Sequence, residues 1–243
     1  MKGVVLAGGL GTRLRPLTSI TNKHLLPVYD RPMIYYPLQT LADAGIKDVM
    51  VVTGGNSAGS FMQLLGDGRE FGFRSLNYAY QTGEGGIAQA IGLARAFIGG
   101  EKFIVILGDN ILENSIAEHV ESFNKQPSGA RILYKRVDDP RDYGVAEIVN
   151  GKVVSIVEKP ADPASDFAVI GVYMYDNCAF DIIDELKPSG RGELEVTDLN
   201  NAYIQRGEMQ ADEIGGWWSD CGASIDNLLE ANNLAAEIRK GIR

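Results

Sequence analysis

The chain has 243 residues, of which 45% are hydrophobic and 23% charged; that is enough apolar material for a full core and excludes a disordered chain. Its 23 Lys and Arg stand against 32 Asp and Glu, a formal net charge of -9 that disfavours a nucleic-acid partner. No apolar run approaches the roughly 20 residues of a membrane span, no export signal precedes the first strand, and Cys178 and Cys221 lack CxxC or histidine company, so a cytoplasmic protein with free thiols and no membrane partner is expected.

Short β-branched runs alternate with helical patterns from the start, the pattern of a mostly parallel sheet covered by helices. Residues 3–7 predict a strand, 32–44 a helix ended by Gly45, and 48–53 a strand buried on both faces, because its apolar run does not alternate. A strand over 76–80, a helix over 86–97 ended by Gly99-Gly100 and a buried strand over 102–107 follow. The segments 130–136, 144–149, 153–158 and 169–175 alternate and predict mixed or antiparallel strands, with Asn150-Gly151 as a two-residue hairpin turn. Helices are expected over 179–186, 198–205 and 224–240. The prediction is an α/β chain, one domain over 1–243, in two halves at about 1–125 and about 126–243.

Leu6-Ala7-Gly8-Gly9-Leu10-Gly11-Thr12-Arg13 leaves the first strand, and its glycines let backbone N–H groups approach an anion. Such a turn is a phosphate cradle, although a Gly-rich turn after a strand is often only a tight bend. It is neither a P-loop, which needs Lys before Ser or Thr, nor a GxGxxG fingerprint, whose third glycine would fall at Leu14. Arg13, Arg15 and Lys23 follow within a dozen residues of an otherwise acidic chain, which suits a triphosphate. In open α/β sheets ligands gather beyond the carboxyl ends of strands, so the ends after Leu6 and after Leu107, where Gly108-Asp109-Asn110 sits, point to one site.

GGLGTRLRPLT, NKHLLPV and RPMIYYPL are similar to the opening of the sugar 1-phosphate nucleotidyltransferases, most closely the glucose 1-phosphate thymidylyltransferases. GIAQA at 86–90, LGDN at 107–110, YGV at 143–145, EKP at 158–160, RGELEVTD at 191–198 and WSD at 218–220 extend the resemblance over nearly the whole chain. It implies a Rossmann-like nucleotidyltransferase fold with a mostly parallel central mixed sheet flanked by helices. It also implies a nucleoside triphosphate, most closely dTTP, and a sugar 1-phosphate, most closely glucose 1-phosphate, as reactants; transfer with UTP or GTP, or a non-catalytic sugar-nucleotide-binding subunit, stand as alternatives.

For Asp109 and Asp220 the residues alone favour helix capping and turn stabilisation; the resemblance implies that both are ligands of Mg²⁺, a hard cation suited to carboxylate and phosphate oxygens. On the nucleotide side the resemblance implies roles for Leu6, Gly8, Gly9, Gly11, Thr12, Arg13, Lys23, Gln81, Gly86, Asp109 and Asn110. On the sugar-phosphate side it implies Tyr143, Gly144, Glu158, Lys159 and Val169, and its catalytic set is Arg13, Lys23, Asp109, Lys159 and Asp220. Glu193, Glu195 and Asp198 either hold water near the metal or, for Asp198, cap a helix. Trp217-Trp218 reads first as core or interface, and His119 as a solvated helix face. The chain departs from the pattern at His24, Ile170 and Cys221, and at Thr82-Gly83-Glu84-Gly85, which lacks a proline common in longer relatives. It stops near residue 243, ahead of C-terminal helices that in longer relatives form subunit contacts and an inhibition site; a homo-oligomer without end-product inhibition is the expectation.

Overall fold

In the computed structural model, which describes residues 1–240, the chain runs through β1 (Lys2–Ala7), β2 (Pro27–Val28), β3 (Arg31–Pro32), α1 (Tyr35–Asp43), β4 (Asp48–Gly54), α2 (Ala58–Leu65), β5 (Ser75–Gln81), α3 (Ile87–Gly92), α4 (Arg95–Ile98), β6 (Phe103–Leu107) and β7 (Asn110–Leu112). It continues through α5 (Ala117–Lys125), β8 (Ala130–Arg136), β9 (Gly144–Val149), β10 (Lys152–Glu158), β11 (Phe167–Tyr175), α6 (Ala179–Glu185), α7 (Val196–Gln205), β12 (Met209–Glu213), β13 (Trp218–Asp220) and α8 (Ile225–Arg239).

Among the described residues a nine-stranded sheet has the order β10-β9-β11-β6-β1-β4-β5, with β8 and then β12 attached to β11. β6, β1, β4 and β5 are mutually parallel. β11 runs antiparallel to β6 and links this block to the antiparallel strands of the second half. The sheet is thus mixed, with the parallel block forming one side of it and β5 its edge strand.

Both faces of β1, β4 and β6 are dry. Val4 and Leu6 of β1 pack with apolar residues of α3, α4, α6 and α7, while Val5 and Ala7 pack with those of α1, α2 and α5. This double burial is why β1, β4 and β6 are continuous apolar runs rather than alternating ones. Each fully buried aliphatic side chain contributes roughly 1.5–3 kcal/mol relative to exposure. The Asn150-Gly151 turn between β9 and β10 has positive φ at both residues, 51° and 75°, as the hairpin signal requires.

Several expectations are corrected. The helix expected over 86–97 is two short helices, broken at Leu93 and Ala94 immediately after Gly92, a poor helix former. The helix expected from residue 32 begins at Tyr35, because Pro32 pairs with Pro27 in the β2–β3 hairpin. No helix follows Asp109: residues 110–112 form β7, paired antiparallel with β13, so Asp109 has no helix to cap. Asp198 does not cap α7 either, since that helix begins at Val196 with Glu195 at its N-cap. His119 is not a solvated residue: its side chain is 13% exposed and its Nδ1 lies 2.9 Å from Asp212. Helix α2 and the short strands β2, β3, β7, β12 and β13 have no counterpart in the sequence reading.

Candidate active site

β1 and β6 are in register with Leu6 opposite Leu107, so both chains leave the sheet at one edge, and the Gly108 amide donates to the Leu6 carbonyl at 2.9 Å. β5 brings Gln81 to the same edge, opposite Gly54 of β4. A Cβ on Gly54 would lie 2.8 Å from the Gly8 carbonyl oxygen, so the missing side chain is what lets the glycine turn approach Gln81.

The glycine turn is held from behind by Asn22. Its amide donates to the Ala7 and Gly9 carbonyls, at 3.4 Å each, and its oxygen accepts from the His24 backbone N–H at 2.9 Å and lies 2.7 Å from His24 Nδ1. In a trans peptide the N–H points opposite to the carbonyl, so the Gly8 and Leu10 amides face away from Asn22. Gly11 has φ 67°, and a Cβ there would sit 2.8 Å from Lys23 Cβ; glycine is required both by conformation and by space.

The Lys23 ammonium donates to Asp109 Oδ2 in a buried ion pair. Asp220 joins them through β13: it pairs with Asn110, and the next amide, Cys221 N–H, donates to the Asp109 carbonyl at 2.9 Å. Gly222 keeps the space open, since a Cβ there would meet Lys23 Nζ at 2.6 Å and overlap the Asp109 carboxylate. Burial alone would raise the Asp109 pKa, but the charge of Lys23 holds it below the ordinary carboxylate range. Burial works against charge on Lys23, and Asp109 outweighs it, keeping the ammonium pKa above its usual value. Asp220 is pushed up, first by burial and then by the negative charge of Asp109. One Asp220 oxygen also accepts from the Gly222 amide at 3.0 Å, so its turn-stabilising role holds as well.

This donor set fits a hard divalent cation. Two carboxylates converge, their mutual repulsion is what a cation relieves, and among the described residues no set of three or more His, Cys, Asp and Glu forms a closed cage. Two protein ligands with the rest from phosphate and water is the usual mode of Mg²⁺.

The same cleft, about 340 Å³, is lined on its other side by Tyr143, Gly144, Glu158, Lys159 and Val169. Glu158 Oε2 accepts from Thr197 Oγ1 at 2.8 Å. Lys159 adopts φ 46°, an uncommon conformation for a non-glycine residue, and its N–H donates to the Tyr143 carbonyl at 3.0 Å. The Tyr143 ring meets Trp218 edge-on at 5.1 Å.

Of the residues singled out in the sequence, Leu6, Gly8, Gly9, Arg13, Lys23, Gln81, Gly86, Asp109, Asn110 and Asp220 line this cleft together with the sugar-side set. Gly11 and Thr12 do not line it; Gly11 packs on the Lys23 stem and Thr12 is exposed, as is Arg15. Asn110 is buried with its oxygen accepting from Gly171 N–H at 2.9 Å and Trp218 Nε1 at 2.7 Å, so it braces the site. The tryptophans divide: Trp217 packs beside the α8 cluster, whereas Trp218 lines the cleft.

Sequence reasoning missed Asp142, Gly171, Tyr173 and Arg191 as cleft residues. Arg191 is held bidentately by Glu195, at 3.1 and 2.8 Å, and lies 3.8 Å from Glu158. Glu193 and Glu195 both engage Arg191 on the Glu158 side of the cleft. The clustering of Arg191 with two glutamates within RGELE was the available signal.

With this geometry in view, comparisons with known proteins agree. The family model described as nucleotidyl transferase matches residues 2–238. A glucose-1-phosphate thymidylyltransferase of Neisseria meningitidis is 44% identical over 98% of this chain and 84% of its own length. One from Xanthomonas campestris is 43% identical over 100% of the chain and 83% of its own length. Among solved structures, a Bacillus anthracis chain provisionally assigned as a glucose-1-phosphate thymidylyltransferase, in complex with a sucrose, is 50% identical with a TM-score of 0.92, covering 97% of this chain and 95% of that one. A UDP-glucose pyrophosphorylase complexed with UDP-glucose is 28% identical with a TM-score of 0.85, covering 97% and 98%. The chain belongs to the nucleotidyl transferase family, enzymes that generally work with a divalent metal ion.

Proposed function

We propose that this enzyme joins dTTP and glucose 1-phosphate to give dTDP-glucose and pyrophosphate, with Mg²⁺ as its metal. The observation that carries the reading is one cleft in which the glycine turn, Lys23, Asp109 and Asp220 face the Tyr143, Glu158 and Lys159 set. The thymidylyltransferase names of the relatives from Neisseria and Xanthomonas support the choice of base and sugar.

In this reading the half at about 1–125 holds the nucleotide and the half at about 126–243 the sugar phosphate. The Gly8 and Gly9 backbone and Arg13 bind the triphosphate, Gln81 and Gly86 read the base, Glu158 and the Gly144 and Val169 backbone hold hexose hydroxyls, and Lys159 meets the sugar phosphate. A sugar-phosphate oxygen attacks the α-phosphorus in line and pyrophosphate leaves. That nucleophile is already an anion, so no general base is needed; positioning and charge stabilisation carry the catalysis. Lys23, kept protonated by Asp109, and Arg13 supply positive charge where negative charge builds on the phosphoryl oxygens. Mg²⁺ held by Asp109 and Asp220 neutralises polyphosphate charge when bound.

A pyrophosphate-release screen over dTTP, UTP, GTP and CTP against several hexose 1-phosphates tests the reading. Fastest turnover with dTTP and glucose 1-phosphate is expected. A UTP preference would move the enzyme toward the UDP-glucose pyrophosphorylase likeness, and no release with any pair would reject catalysis.

A further inference from the structure

The Gln81 amide has one end whose identity chemistry alone decides. The Gly86 carbonyl can only accept a hydrogen bond, and it lies 3.0 Å from the Gln81 terminus, so that terminus is the NH₂ group. The second hydrogen of the same group goes to Gln89 Oε1 at 2.9 Å. Both donors are then committed, and the Gln81 oxygen is the end left over. It lies against Gly8 at the cleft edge, where a Cβ on Gly8 would approach it to 2.8 Å.

We propose that Gln89 is a positioning residue that, together with the Gly86 carbonyl, holds the NH₂ end of the Gln81 amide away from the nucleobase, so that the cleft selects a base carrying a ring N–H. The inference rests on the nucleotide-binding role given to Gln81 above and adds a residue that reinforces its polarity. A carbonyl oxygen at this place accepts from N3–H of thymine or uracil. Against cytosine it meets the N3 lone pair, two acceptors face to face, and a buried polar group is left unpaired.

Gln89 does not line the cleft, so it acts through Gln81 and not by touching the base. Its own placement is built in. Any side chain on Gly85 would overlap the Gln89 amide, and the Gly85 carbonyl is pinned by the Leu194 N–H at 2.9 Å. Gly86, with φ 91°, presents its carbonyl to Gln81 from a conformation that a residue with a side chain rarely adopts, and a Cβ there would lie 2.8 Å from Leu194 N. Leu194 O in turn accepts from Ala88 N–H at 3.0 Å, so the loop carrying Gln89's neighbours is braced on both sides.

The test measures kcat/KM for dTTP and for CTP, with glucose 1-phosphate and Mg²⁺, in wild type, Gln89→Leu and Gln89→Glu. The ratio on one protein sample cancels any loss of folded fraction, so a merely structural effect leaves it unchanged. Wild type is expected to favour dTTP. Gln89→Leu leaves only the Gly86 carbonyl holding the NH₂ end, so the amide turns over more readily and the dTTP-to-CTP ratio falls about tenfold. Gln89→Glu keeps an acceptor at this position and should hold the ratio to within about twofold of wild type, since a carboxylate accepts the same hydrogen at least as strongly. Wild-type selectivity that survives in Gln89→Leu, or loss of both activities in equal proportion, would overturn the inference alone. A wild-type enzyme that used CTP as well as dTTP would overturn the base-reading role of Gln81 together with it.

Discussion

His24 gives a prediction whose size can be worked from its surroundings. The ring is buried between Asn22, which engages Nδ1, and Gly108, where a Cβ would come within 2.7 Å of Cδ2. Burial, helped by the neighbouring Lys23 charge, pushes its pKa down from 6.5 to about 3. The unfolded chain therefore takes up a proton near pH 6.5 that the folded chain refuses until about pH 3. Stability contributed by neutral His24 is fully present above pH 6.5 and falls as the pH drops through the window between those values. Between pH 7 and pH 5 the loss from this one group is about 2 kcal/mol. Glutamine does not titrate, so His24→Gln should lack this component. Urea unfolding at pH 7, 6 and 5 with chelator present, followed by circular dichroism, compares the two proteins. Wild type should lose about 2 kcal/mol more than the variant over that range; identical pH slopes would refute a buried neutral imidazole.

Three further outcomes are expected. In steady-state assays Arg13→Ala should lower kcat about 100-fold or more while leaving the KM for sugar phosphate nearly unchanged, and wild-type turnover would reject its role. Chelation should abolish activity and Mg²⁺ restore it, whereas Asp220→Asn should need far more Mg²⁺ for half-maximal rate; full activity in chelator would reject Asp109 and Asp220 as ligands. Thr197→Val removes the 2.8 Å hydrogen bond to Glu158. It should raise the KM for glucose 1-phosphate about five- to tenfold with little change in kcat, and an unchanged KM would detach Thr197 from the sugar side.

What the sequence made legible is what depends on neighbours in the chain. The strands around Val51 and Val105 read as buried because both faces are covered, and Asn150-Gly151 read as a turn because both residues tolerate positive φ. Asp109 was placed at a sheet edge by the apolar run before it. Its convergence with Asp220 required β7 and β13, each of three residues, which are too short to show a period. The glycines that open the site, Gly54, Gly171 and Gly222, matter through atoms distant in the chain, such as the Gly8 carbonyl for Gly54 and the Asp109 carboxylate for Gly222, and no local pattern marks them. Arg191 was overlooked because its approach to Glu158 and the backbone pairing of its loop with Gly85, which bring it to the cleft, are long-range. The burial of His24 was not legible because Asn22, two residues away, engages it only once the glycine turn folds over both.

The central claim is that a sugar-phosphate oxygen attacks the α-phosphorus of the nucleotide in this cleft. Glucose 1-phosphate labelled with ¹⁸O on its phosphate, incubated with dTTP, Mg²⁺ and the enzyme, can be followed by ³¹P NMR. The account predicts that all label stays in the sugar-nucleotide product and none enters pyrophosphate. Label in pyrophosphate, or no sugar nucleotide at all, would contradict it.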